Sequence, residues 1–118
     1  MAKEIKAAIS LSVKTVLGTS ADKSDSGTID MAGTHITHNV QDVGTGSPEA
    51  LAEGADLGTA GVYYIKNLDT ANYVSLGLSG QYSIKLKPGE FCLFRAAAPI
   101  FALANTGACK VEYMVLED

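Results

Sequence analysis

The chain contains no tryptophan, and only two cysteines, two histidines and three prolines among 118 residues. Each shortage removes a class of function. Cys92 and Cys109 are too few for a disulfide framework, and the apolar FCLF context of Cys92 predicts two buried free thiols. A thiol in that setting is desolvated and a poor nucleophile. His35 and His38, three apart on a strand, point to opposite faces and cannot share a metal, so a metal role for either would need a second subunit. Lack of tryptophan weakens the case for a carbohydrate-stacking platform, although tyrosine can serve.

Apolar runs are short, and none approaches the ~20 residues of a membrane helix. The opening MAKEIKAAISLSVK is interrupted by Ser10, Ser12 and Lys14 and does not read as a secretory signal. The expected site of synthesis is a cytoplasm. Basic residues are few and scattered, with a formal net charge of −4, so neither nucleic acid nor a membrane is an expected partner.

What is present has a period of two. In AISLSVKTVL, Ile9, Leu11, Val13 and Thr15 face one way and Ala8, Ser10, Ser12 and Lys14 the other, which predicts a half-buried strand. TIDMA, THITHNVQDV, GVYYIKNL, YVSLGL, YSIKL, EFCLFRA, IFALAN and CKVEYMVL follow as strand candidates. SPEALAEG reads either as one helical turn capped by Ser47 or as an extended edge strand. It lies within a long Gly-rich connection, Gly44 to Gly61, expected to cross the surface. Eight to ten short strands parted by small polar turns predict an all-β fold. We expect one domain over residues 1–118, an antiparallel β-sandwich of the jelly-roll kind. Residues 1–7 are expected to form an extended N-terminal arm.

No chemistry-bearing motif survives inspection. Asp22, Asp25 and Asp30 lie in SADKSDSGTID without the spacing, central Gly and distal Glu of a calcium loop, so a solvated loop is expected. GTGSPE lacks the Lys of a phosphate loop. A cupin-like site would share only the Pro-Gly turn of KLKPGEFCLF, because the histidine cluster is missing. The chain therefore reads as non-enzymatic, with no catalytic, cofactor-binding or metal-ligating residue assigned.

Two features do stand out. Pro88 and Gly89 suit the central positions of a type II turn, and KLKPGEFCLF is expected to form a hairpin corner. Several strands are apolar on both faces: Phe91 and Leu93 oppose Cys92 and Phe94, and Ile100 and Ala102 oppose Phe101 and Leu103. A single sandwich core uses only one face of a strand, so the surplus calls for loops or another subunit. Tyr63 and Tyr64 are adjacent, which places one in the core and the other outside. Tyr63, Tyr64, Phe91, Phe94 and Phe101 are the candidate interface residues.

Three segments, GVYYIKNLDTANYVSLGL, KLKPGEFCLF and IFALANTGACKVEYMVLED, resemble a recurrent pattern in small structural proteins of tailed bacteriophages. The resemblance covers roughly residues 35–118, and residues 1–34 add a compatible opening strand. Its motifs are structural rather than catalytic. It implies a virion component, and within the virion a capsid decoration (cement) protein. Such a protein would act as a homotrimer on the major capsid protein or other virion proteins. A tail- or fibre-associated structural or receptor-binding module is the alternative it leaves open.

Overall fold

Ten antiparallel strands and no helix make up the computed structural model, which describes residues 4–118. The chain divides into two units, one ending at Ala32 and the other spanning Gly33–Asp118.

The first unit is a two-stranded ribbon of β1 (Ile5–Lys14) and β2 (Ser20–Ile29). Gly18, at φ +87°, closes its turn, with the Gly18 N–H donating to the Thr15 carbonyl at 3.0 Å. The amphipathic period expected of the opening strand is present, but its burial is not. Ile9, Leu11 and Val13 are 56%, 59% and 42% exposed. Periodicity sets which side chains share a face; it does not supply the layer that covers them. The Ser/Asp-rich segment expected to be a loop is instead the strand β2, paired along its length with β1. Its low strand propensity is offset by that ladder and by cross-strand contacts such as Ser12 Oγ donating to Asp22 at 2.8 Å. Of TIDMA only Thr28 and Ile29 are in the strand. The proposed arm falls partly outside the described residues, and its remaining part, from Ile5, begins β1.

The second unit carries eight strands in two four-stranded sheets. They are β3 (Ile36–Val43), β4 (Glu49–Ala50), β5 (Ala60–Asn67), β6 (Val74–Leu78), β7 (Gln81–Leu86), β8 (Phe91–Arg95), β9 (Phe101–Ala104) and β10 (Cys109–Glu117). One sheet has the order β3-β10-β5-β8 and the other β4-β9-β6-β7. Alternation places Tyr63 and Ile65 of β5 and Val111, Tyr113 and Val115 of β10 inward from the first sheet. Val74, Leu76, Ala102 and Ala104 come inward from the second, and all nine belong to one core cluster. The arrangement is consistent with a β-sandwich.

SPEALAEG resolves to an edge strand, with Glu49 and Ala50 paired to β9. The connection around it does more than cross the surface, because Leu51 and Leu57 are 2% and 8% exposed and join the core. Core tyrosines tie the connection down through one backbone carbonyl and one side-chain carboxylate. The Tyr113 hydroxyl donates to the Ala52 carbonyl at 2.7 Å, and the Tyr63 hydroxyl donates to Glu53 at 2.7 Å.

The Pro88–Gly89 turn forms as expected: Gly89 sits at φ +80°, and the Glu90 N–H donates to the Lys87 carbonyl at 3.0 Å. It is not a hairpin, however. β7 belongs to one sheet and β8 to the other, so the turn carries the chain between sheets. The physical reason lies in the turn type. Hairpins favour the mirror-image turns whose twist matches paired strands, whereas a type II turn splays them.

Candidate interaction surface

The outer face of the β3-β10-β5-β8 sheet follows from its register. Val40, Glu112, Lys66 and Phe91 form one row across the four strands. His38, Met114, Tyr64 and Leu93 form the next, and Ile36, Leu116, Val62 and Arg95 the third. The exposed apolar groups lie on the two outer strands. Ile36 and Val40 on β3 are 57% and 49% exposed, and Phe91 and Leu93 on β8 are 68% and 43% exposed. Between these rims the central strands carry one charged row, Glu112 and Lys66, beside the half-buried Tyr64, Met114 and Leu116 and the buried Val62. Glu112 contacts His38 Nε2 at 2.9 Å and is the cross-strand neighbour of Lys66. Tyr64 leans on Phe91, with ring centroids 6.4 Å apart, and burial with the nearby Glu112 charge raises its hydroxyl pKa.

The five candidate interface residues are thus divided. Tyr64 and Phe91 lie on this outer face. Tyr63 is fully buried within its own chain, and Phe94 stacks on it with centroids 5.7 Å apart and planes at 12°. Phe101 is half-buried in β9 of the other sheet. Register explains the split: Tyr63 pairs with Phe94 and Lys66 with Phe91, so alternate residues of β5 and β8 go to opposite sides. Ile36 and Val40 join this face although their β-branched alternation signals only a strand and not an interface.

Elsewhere the polar groups hold structure together. Both cysteines are free thiols. Burial pushes Cys92 up to about 11, and burial followed by the Asp69 charge raises Cys109, so both are protonated at neutral pH. Glu117 accepts from the backbone N–H groups of Gly58 (2.6 Å), Thr34 (2.8 Å) and His35 (3.2 Å). Those bonds lower its carboxyl to about 2. No cluster of three or more metal-ligating side chains occurs among the described residues. A groove of about 570 Å³ lies between the β6–β7 turn and the β8–β9 connection, walled by Ile84, Phe94, Ile100 and Ala96. The buried Tyr82 hydroxyl on its lining has no hydrogen-bond partner among the described residues.

Compared with protein-family models, curated proteins and solved structures, the chain matches none. The chemistry available on the outer face is therefore the guide. Exposed apolar side chains at both rims, around a centre that mixes one charged row with apolar and aromatic groups, suit contact with another protein surface.

Proposed function

We propose that this chain is a non-enzymatic structural protein of a tailed-phage virion, a capsid decoration protein that cements the head as a homotrimer. The observation that carries the reading is the uncovered apolar surface on an all-β scaffold: Ile36, Val40, Phe91 and Leu93 on one sheet face, and Ile9, Leu11 and Val13 on the ribbon. A cement protein works by burying such surface against its own copies and against the capsid lattice, and it needs no reacting group. The phage assignment rests on the resemblance of the β5–β6, β7–β8 and β9–β10 segments to small virion proteins. The order of the eight strands supports a jelly-roll reading of the second unit. Successive strands from β3 to β10 change sheets at every step except β6 to β7, and first and last strands lie side by side.

The test is immunogold labelling of virions of the phage that encodes the chain, paired with co-sedimentation of the purified protein with heads lacking it. Label spread over the head and saturable binding are expected. Label confined to the tail would replace the decoration reading with the tail-associated one, and absence from the virion would remove both.

A further inference from the structure

The β1–β2 ribbon presents a physical problem. An isolated two-stranded hairpin is marginal in water, because two strands bury too little to offset their ordering entropy. This one is ten residues per strand, and nearly every residue in it is exposed. Its register sorts it into two unlike faces. One carries Ile9 beside Asp25, Leu11 beside Lys23 and Val13 beside Ala21. The other carries Ser10 beside Ser24, Ser12 beside Asp22 and Lys14 beside Ser20. At the turn, Val16 and Leu17 are fully or almost fully exposed, 103% and 91%. A solvated loop has no use for such a face.

We infer that the apolar face of this ribbon lies on the outer face of the β3-β10-β5-β8 sheet of a second copy of the chain. This rests on the proposed self-associating structural role and names its surfaces. Three observations select that occupant. Both surfaces are uncovered and are displayed by the same chain, so every copy offers a donor and an acceptor in equal number. The charges are complementary: the ribbon places Asp25 and Lys23 among its apolar side chains, and the sheet places Lys66 and Glu112 between its apolar rims. Asp25 can face Lys66 while Lys23 faces Glu112. The lengths also fit. A ten-residue strand spans about 33 Å, while four strands span about 14 Å, so the ribbon reaches across both rims.

The contact joins two different surfaces, so it is heterologous. Such contacts propagate from copy to copy and close into a ring when the rotation allows. Here the ring is the three-fold assembly, each ribbon seated on the next copy.

Analytical ultracentrifugation of the full chain over a range of concentrations tests this, together with three variants. Leu11→Asp alters the ribbon face, Phe91→Asp alters the sheet rim, and Ser10→Asp alters the opposite ribbon face. All three sites are exposed, and far-UV circular dichroism and melting that match the wild-type chain diluted below its association range establish that each folds. The wild-type chain is expected at three times the chain mass. Leu11→Asp and Phe91→Asp should each weaken self-association at least about 30-fold, the scale of one buried hot spot, while Ser10→Asp leaves it unchanged. Mixing the two defective variants should give a mixed dimer, because one retains the sheet and the other the ribbon. A monomeric wild-type chain would overturn the inference, as would an assembly indifferent to Leu11→Asp or Phe91→Asp, or two variants that do not complement. The outcome is separable from the decoration reading. Ribbon-dependent assembly in a chain absent from heads would leave the inference standing, and a head-bound chain indifferent to these substitutions would do the reverse.

Discussion

Asn67 is fully buried, yet all of its side-chain groups are used. Its amide donates to the carbonyls of Asn72 (2.9 Å) and Leu86 (3.0 Å), and its oxygen accepts from the Asp69 N–H at 2.9 Å. Its backbone N–H and carbonyl bond to Glu90 and Gly89, so one residue ties the 69–72 turn to the Pro88–Gly89 corner. Asn67→Ala would leave these groups unpaired and should cost about 2–3 kcal/mol, read from urea unfolding. Alternation along GVYYIKNL places Asn67 on the face of Tyr63 and Ile65. Its partners were not readable, because they come from other turns and strands. Glu117 makes a different prediction. Its folded pKa, about 2, lies below the unfolded value of about 4.3. Its contribution is therefore fully present above the unfolded pKa and is lost as pH falls through the folded one. Melting measured from pH 5 to pH 2 should fall less steeply in Glu117→Gln than in the wild-type chain.

At the scale of elements, turns were legible and their destinations were not. Pro and Gly punctuation marks a turn locally through backbone φ, and Gly89 at +80° bears this out. Gly89→Ala should destabilise by about 1–2 kcal/mol, the cost of a left-handed alanine. Pro88→Ala should cost less than about 1 kcal/mol, through unfolded-state entropy. Gly77 answers to a tertiary constraint instead. It lies at the bulge between β6 and β7, where an added Cβ would sit 2.3 Å from the Gln81 carbonyl oxygen. Backbone cannot step aside as a side chain does, so Gly77→Ala should cost about 1–3 kcal/mol in the same unfolding assay. The β2 segment shows the opposite failure of local reading, since its serines and aspartates are held extended by the β1 ladder and cross-strand contacts rather than by their own propensity.

At the scale of the molecule, stability is expected to be uneven. The second unit has a buried core, whereas the ribbon has backbone pairing and little burial. In dilute solution, amides of β1 and β2 should exchange with deuterium far faster than those of β5 and β10. Raising the concentration through the association range should slow exchange in the ribbon and leave the central strands unchanged. Ribbon amides that are protected equally at every concentration would count against cover by a second copy.

The period, the Gly- and Pro-marked turns and the membership of each face are legible in the chain's residues, because these depend on residues one to three positions apart and on φ preferences. An all-β chain, the shared face of Tyr63, Ile65 and Asn67, and the surplus apolar residues Phe91 and Leu93 all follow from alternation, whereas that Tyr63 rather than Tyr64 points inward does not. Which strands share a sheet, that the Pro88–Gly89 turn crosses between sheets, and that Ile9, Leu11 and Val13 remain exposed emerge from the fold. Those outcomes depend on pairing between residues tens of positions apart. A two-residue period records that a face is apolar, whereas the layer packed against it is set by the rest of the chain or by another copy.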